Sequence, residues 1–201
     1  MLDRYFIKYL RQPLTVSAQQ LVNYGVSANQ VTLVGFAIGM LVLPALYLEL
    51  YAVALVCIVI NRCCDGLDGA IARLKQPTDL GGYLDITLDF IFYSAVVFGF
   101  ALANPEQNAL AAALLIFSFM GTGSSFLAFA IMAEKRTLTT LDYGRKSLYY
   151  LGGLTEGTET IGLFVFICLW PQYFVIAAWI FAGLCWLTTI TRIYAAYRTL
   201  S

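Results

Sequence analysis

The sequence predicts an all-α integral membrane protein, with six transmembrane helices in an up-down bundle and an amphipathic helix at the membrane interface before them. Hydrophobic residues make up 60% of the 201 residues and charged residues only 12%, whereas about a quarter of the residues in a soluble domain are charged. The apolar runs are too many and too long for a signal peptide followed by a soluble core. We therefore expect residues 1–201 to form a single membrane domain.

Residues 1–25 form the predicted interfacial segment. The stretch MLDRYFIKYLRQP places Arg4, Lys8 and Arg11 on one helical face and apolar side chains on another face. A helix with this pattern lies along the headgroup layer instead of crossing the bilayer. An ordinary orientation signal would explain the same basic residues, and the two interpretations are compatible.

The transmembrane bundle is predicted over residues 29–198. A span needs about 20 mostly apolar residues, and six stretches meet that requirement: 29–50, 51–73, 80–103, 108–133, 151–170 and 172–198. The connections between these six stretches alternate between very short polar turns and longer charged segments. That alternation indicates consecutive helices running up and down.

The orientation in the membrane follows from the basic residues, because cytoplasmic loops retain Lys and Arg. All 12 basic residues of the chain fall at the termini or toward the second and fourth connections. Glu49 and Glu106 are the charges on the opposite side. We therefore expect both termini to face the cytoplasm, as in a protein of the bacterial inner membrane.

The first span opens with SANQVT, where Ser27 and Gln30 have the spacing of a capping box at a helix N-terminus. Asn29 and Thr32 are three residues apart and would share one face of that first turn. A helix N-terminus on the cytoplasmic side can bind an anion. Local capping by the same two side chains is the alternative, and the sequence leaves both open.

The residue types available for chemistry are restricted. The chain has no histidine, and its five cysteines lie in apolar stretches without metal-ligand spacing. We interpret the cysteines as small buried hydrophobic residues. If the protein performs acid-base chemistry, a carboxylate is the expected proton acceptor.

Four aspartates lie where transmembrane helices are predicted. Asp65 and Asp68 are three residues apart, and Asp85 and Asp89 are four apart, so each pair projects from one face of its helix. The connecting segment LKQPTDL is short, which makes the two helices antiparallel neighbours. The two pairs should therefore face each other in a cavity that opens to the cytosol.

This cluster needs a cation. One aspartate near the bilayer centre costs about 2.5 to 3.5 kcal/mol, and Arg73 alone cannot neutralise four. Carboxylate oxygens without Cys or His favour Mg²⁺, Mn²⁺ or Ca²⁺ over zinc. Two divalent ions would balance the four charges.

Small residues surround the acids. Gly66, Gly69 and Ala72 would leave part of one helix bare, while Gly81 lies one turn before Asp85 on the other. Bare backbone permits close approach of a bulky ligand, and Arg73 could bind its phosphate oxygens. Helix packing alone would explain any one of these glycines, but not the set combined with four spaced acids.

The pattern Asp65-x-x-Asp68-Gly69-x-x-Ala72-Arg73, followed after seven residues by Gly81-x-x-x-Asp85-x-x-x-Asp89, resembles the signature of the CDP-alcohol phosphotransferase family. The predicted six spans and interfacial helix are also similar to that family. The resemblance implies transfer of a substituted phosphate from a CDP-linked donor, commonly CDP-diacylglycerol, to an alcohol, with release of CMP. It also implies a homodimer that depends on Mg²⁺ or Mn²⁺.

The resemblance also assigns expected roles to residues. Asp65, Asp68 and Asp85 would bind the metal, and Asp89 would lie near the metal and take the proton of the acceptor hydroxyl. The CDP-donor site would be formed by Asn29, Thr32, Asp68, Gly69, Ala72, Arg73 and Gly81. The family often has a proline at the position of Ala28. The start of the first span therefore differs from the family pattern at this residue.

The acceptor is left open by the sequence. Lys135, Arg136, Arg145 and Lys146 could bind a phosphorylated alcohol, or could contact anionic lipids and set the orientation. The stretch GLTEG, with Glu156, is similar to a Pro-Thr-Glu-Gly stretch of choline and ethanolamine phosphotransferases, which use unphosphorylated alcohols.

Two other classes of function compete with a transferase. Intramembrane acids also mark proton or cation transporters, but a transporter should carry polar groups through to the outer side of the bundle. The outer halves of the predicted spans are nearly uncharged. An inactive scaffold that retains the motif is the third class, and the intact set of acids disfavours it.

Overall fold

The computed structural model describes residues 3–136 and 153–201, with side chains described from residue 13 onward in these ranges. The helices are α1 (Asp3–Asn23), α2 (Ala28–Met40), α3 (Val42–Tyr47), α4 (Tyr51–Lys75), α5 (Asp79–Ala103), α6 (Pro105–Lys135), α7 (Gly157–Leu169) and α8 (Phe174–Leu200), with a 3-10 turn over Pro171–Tyr173. The described residues contain no strand. The prediction of an all-α fold is confirmed for them.

Four segments of the described chain are long and apolar enough to cross a membrane: Ala28–Tyr47, Asp79–Ala103, Pro105–Lys135 and Pro171–Leu200. α4 has the length of a span, at 25 residues, but carries the charges of the candidate site. α7 has 13 residues, which extend over about 20 Å, less than the hydrocarbon core of about 30 Å. The count of six spans therefore stays a prediction.

The first predicted span, residues 29–50, is two helices instead of one. α2 ends at Met40 and α3 begins at Val42, with Leu41 between them. Pro44 has no amide hydrogen to donate to the carbonyl of Met40, so a continuous helix would lose that bond. Leu46 of α3 is completely buried.

The main apolar core lies at the end of the bundle where α4 begins and α5 ends. Phe100 stacks on Phe174, with ring centroids 4.7 Å apart and planes 2° from parallel, and Tyr51 stacks on Phe100 at 5.8 Å. Leu46 fits against Gly99, where a Cβ would come within 2.6 Å of Leu46 Cδ1. This packing joins α3, α4, α5 and α8 and leaves the polar residues of α4 and α5 toward the other end.

α1 covers one side of that polar end. Ala18 is fully buried together with Ala70 and Ile71 of α4, and a Cβ on Gly66 would come within 3.2 Å of Leu14 Cδ1. The expectation that Gly66 presents bare backbone to a ligand is therefore wrong, because α1 packs on it. The basic residues of the predicted interfacial helix precede Pro13 and lie outside the described side chains, so its amphipathic character stays a prediction.

Two glycines of α2 allow close contact with α4. A Cβ on Gly35 would overlap Cys64 Cβ, and a Cβ on Gly39 would lie 2.9 Å from Asn61 Nδ2. Asn61 Nδ2 also donates a hydrogen bond of 3.1 Å to the carbonyl of Gly35. These contacts set the distance between α2 and α4, which together form one wall of the candidate site.

Replacing Gly35 with alanine should destabilise the protein. The added methyl group has no space beside Cys64, and overpacking of this kind typically costs about 1 to 3 kcal/mol. Thermal unfolding of the detergent-solubilised protein, followed by tryptophan fluorescence, should show a lower midpoint than the wild type. Gly183→Ala is the matched control, because a Cβ there meets nothing within 4 Å; equal midpoints for the two variants would contradict the packing described.

Candidate functional site

The centre of the candidate site is a group of three carboxylates. Asp65 and Asp68 of α4 and Asp85 of α5 each place a carboxylate oxygen within 4.8 Å of the others. Asp68 is buried, Asp65 is half-buried and Asp85 is exposed. The structure thus brings the acids of the two antiparallel helices together, and Asp89 lies one turn further along α5.

α2 contributes a hydroxyl to this group. Thr32 Oγ1 lies 2.5 Å from Asp68 Oδ2 and 3.1 Å from the carbonyl oxygen of Ala28. Ser27 Oγ accepts a hydrogen bond from the Gln30 amide, and the Gln30 side chain accepts one from the Ser27 amide. The capping box predicted from the sequence is therefore confirmed, and it begins the helix that positions Thr32.

Asn29 lies beside the first turn of α5. A Cβ on Gly81 would come within 3.2 Å of Asn29 Oδ1 and 3.1 Å of Thr78 Oγ1. Thr78 Oγ1 also accepts a hydrogen bond from the Gly81 amide and so caps α5. Because Gly81 has no side chain, the N-termini of α2 and α5 can approach each other next to the acids.

Arg73 folds back along α4. Its guanidinium Nη1 lies 3.4 Å from where a Cβ on Gly69 would be, and the side chain is exposed. Gly69 and half-buried Ala72 therefore leave room on this face of α4 for a long cationic side chain. The guanidinium can reach an anion that approaches the site from solvent.

Asp89 is bound by an arginine to which sequence analysis assigned no role in the site. Arg62 Nη2 donates to Asp89 Oδ1 at 2.5 Å and Arg62 Nη1 donates to Asp89 Oδ2 at 3.2 Å, a bidentate pair. Tyr93 OH donates a further hydrogen bond of 3.1 Å to Asp89 Oδ2. Arg62 Nη1 also lies 3.5 Å from Asp65 Oδ2, so this guanidinium links Asp89 to the three-carboxylate group.

Arg62 is itself held on several sides. Asn61 Oδ1 accepts hydrogen bonds from Arg62 Nε at 2.9 Å and Nη2 at 2.6 Å. The guanidinium carbon lies 5.3 Å from the centre of the Phe92 ring and 5.4 Å from that of Tyr93, within cation–π distance. Arg62 lies three residues before Asp65, which puts both residues on one helical face. This spacing is the sequence signal that could have identified Arg62 as part of the site.

A small pocket that is partly open to solvent joins these groups. Its lining combines the four acids and Arg62 with small and apolar residues of α2, α4 and α5. The lining residues are Thr32, Gly35, Phe36, Asn61, Arg62, Cys64, Asp65, Asp68, Asp85, Leu88 and Asp89.

The donor set suits a hard divalent cation. Three carboxylate oxygens within 4.8 Å of one another can share one ion, and Mg²⁺ and Mn²⁺ prefer oxygen ligands. The exposed carboxylate of Asp85 leaves one side of the group open to solvent. A substrate oxygen could therefore complete the coordination.

Of the predicted acceptor-binding residues, Lys135 and Arg136 are exposed at the end of α6. Arg136 Nη2 donates a hydrogen bond of 2.5 Å to the carbonyl of Leu200. Arg145 and Lys146 lie outside the described residues. Within GLTEG, Glu156 accepts a hydrogen bond from the Gly153 amide at 3.0 Å and caps α7. The Leu154 amide and the Thr155 hydroxyl donate to Thr188 Oγ1 at 3.1 and 3.2 Å, which connects this stretch to α8.

Comparisons with a family model and with known proteins agree on one protein family. The family model described as CDP-alcohol phosphatidyltransferase matches residues 25–194. The inner membrane protein YnjF of Escherichia coli is 56% identical, covering 100% of this chain and 97% of that protein. The archaetidylinositol phosphate synthase of Pyrococcus horikoshii is 30% identical, covering 95% of this chain and 94% of that protein.

The fold is shared with a solved structure. The phosphatidylinositol phosphate synthase of Mycobacterium tuberculosis, PgsA1, crystallised with CDP-DAG bound, superposes with a TM-score of 0.65. The sequence identity is 19%, and the match covers 92% of this chain and 93% of that chain. The helical arrangement described above is therefore shared with that structure.

Removing the Thr32 hydroxyl should destabilise the metal-free protein. Asp68 is only 6% exposed, and leaving a buried polar group without its partner costs about 1 to 3 kcal/mol, or more when the group is charged. Thr32→Val should lower the thermal unfolding midpoint in the presence of chelator, while Thr32→Ser, which keeps the hydroxyl, should stay near the wild type. Equal losses in the two variants would assign the effect to packing instead of the hydrogen bond.

Proposed function

Because the chain belongs to the CDP-alcohol phosphatidyltransferase family, we propose that it transfers a phosphatidyl group from CDP-diacylglycerol to an acceptor alcohol in phospholipid synthesis. The observation that supports this most directly is the three-carboxylate group beside the N-termini of α2 and α5. Such an arrangement can bind a metal and a diphosphate next to each other. The bound CDP-DAG named for the PgsA1 structure agrees with this donor.

Asp65, Asp68 and Asp85 are proposed to hold a divalent ion, Mg²⁺ or Mn²⁺. When bound, such an ion neutralises the donor diphosphate and stabilises the charge of the leaving CMP. The contact between Thr32 and Asp68 orients one of the ligands. Asp89 is the fourth proposed ligand, and binding of two ions would require its carboxylate to take part.

The donor site is proposed around the same group. Asn29 and Thr32 stand at the start of α2, and Arg73 lies over Gly69. The guanidinium can bind phosphate oxygens with two parallel hydrogen bonds, and the small residues leave room for the nucleotide. The full proposed set is Asn29, Thr32, Asp68, Gly69, Ala72, Arg73 and Gly81.

Asp89 is the proposed general base. It lies on the cavity wall, where it can take the proton of the acceptor hydroxyl. The freed oxygen attacks the phosphorus that carries the diacylglycerol group, and the bond from that phosphorus to the bridging oxygen breaks. CMP leaves with the electron pair of the broken bond.

The acceptor site is proposed at the basic residues at the end of α6 and beyond it. Lys135, Arg136, Arg145 and Lys146 supply charge suited to a phosphorylated alcohol. An unphosphorylated alcohol is the alternative, and an acceptor panel distinguishes the two.

The setting is proposed to be the inner membrane, with both termini and the site facing the cytoplasm. The basic residues near the site agree with that orientation, and the Escherichia coli relative is named as an inner membrane protein. We also propose that residues 1–201 form one membrane domain and that two copies form a homodimer.

Purified protein incubated with CDP-diacylglycerol should release CMP when the correct alcohol is supplied. A panel of phosphorylated and unphosphorylated alcohols, each measured with and without chelator, identifies the acceptor and tests the metal requirement. Chelator should abolish release, and added Mg²⁺ or Mn²⁺ should restore it. Failure with every acceptor, together with metal-driven flux in vesicles, would indicate a transporter.

Asp89→Asn should lower turnover by at least about a hundredfold, because a general base contributes about 10²–10⁴-fold. Binding of CDP should change little, since the proposed nucleotide residues are elsewhere. Asp79→Asn is the control: Asp79 is an exposed acid in the first turn of the same helix and should retain activity. Near-normal turnover in Asp89→Asn would remove this residue from the base role.

A further inference from the structure

We infer that Arg62 is a built-in counter-ion for Asp89, so that the site binds one divalent ion tightly and a second only after Arg62 withdraws. Arg62 is thereby a positioning residue for the proposed base. The inference rests on the divalent metal site proposed above. It concerns which of the four carboxylates are neutralised by a metal ion and which by Arg62.

The hydrogen bonds of Asp89 are the first observation. Its Oδ1 accepts from Arg62 Nη2, and its Oδ2 accepts from both Arg62 Nη1 and Tyr93 OH. A second ion at this carboxylate would have to displace these donors or approach beside a positive guanidinium. Like charges at such distances repel strongly in a partly buried site.

The confinement of Arg62 is the second observation. Its side chain is 17% exposed, Asn61 holds it from one side, and two aromatic rings flank it. Arg62 also lies within α4, 13 residues before its last residue, Lys75. A side chain held in this way stays beside Asp89 unless a competing cation replaces it.

The grouping of the acids is the third observation. Among the described residues, the oxygens that converge on one point come from Asp65, Asp68 and Asp85, and Asp89 is outside that group. One guanidinium reduces the charge of the four acids from −4 to −3, and a single divalent ion reduces it to −1. The arginine thus does part of the neutralisation that two divalent ions would otherwise do.

The test is Mn²⁺ binding by the purified full-length chain in detergent, measured by electron paramagnetic resonance without any substrate. The wild type should bind one ion tightly. Arg62→Gln should tighten binding of a second ion by at least about tenfold, because a nearby positive charge has been removed. Lys75→Gln is the control, since it removes a cation from the same helix at an exposed position, and its titration should match the wild type.

Arg62→Lys separates charge from geometry. Lysine keeps the positive charge but cannot form the two parallel hydrogen bonds, so one tight ion should remain and the second should tighten only a few-fold. If Arg62→Gln does not fold, this variant carries the test by itself. Tyr93→Phe, which leaves the guanidinium in place, should keep one tight ion.

Two ions of similar affinity in the wild type, unchanged in Arg62→Gln or Arg62→Lys, would overturn the inference and leave the metal site intact. Absence of Mn²⁺ binding by the wild type would overturn the metal site and the inference together. Because turnover is not measured, a failure to find the acceptor alcohol leaves this readout unaffected.

Discussion

The main physical constraint on this structure is the group of aspartate carboxylates that it brings together within an apolar helical bundle. Aspartates within a membrane bundle are costly, and here one carboxylate oxygen each of half-buried Asp65, buried Asp68 and exposed Asp85 lies within 4.8 Å of the others. Such a cluster is stable only when cations and hydrogen-bond donors surround it. Thr32 and Arg62 supply part of that environment from the chain, and a divalent ion can supply the rest.

The bundle separates packing from chemistry along its length. Stacked rings from the start of α4, the end of α5 and the start of α8 fill one end, while the acids, the cavity and the helix N-termini occupy the other. A transport path for ions would need polar groups at both ends of the bundle. This polarity agrees with the lipid donor proposed above, whose diphosphate would lie at the polar end while its tails stay in the membrane.

The close contacts of α2 explain why glycines recur near the site. Gly35 and Gly39 let α2 approach Cys64 and Asn61 of α4, and Gly81 lets Asn29 approach α5. Gly66 serves α1 instead, through Leu14. Gly69 has a cationic side chain, Arg73, beside it, so similar glycines in the motif have different structural roles.

The sequence by itself determined the helical class, the capping box at Ser27 and the facing of Asp65 and Asp68 toward Asp85, because periodicity, local caps and a short connection are local properties of the chain. The cover of α1 over Gly66 and the pairing of Arg62 with Asp89 were decided by tertiary structure. Each of these depends on which side chain of another helix lies against the residue. Spacing along one helix specifies a face, and only packing specifies what that face meets.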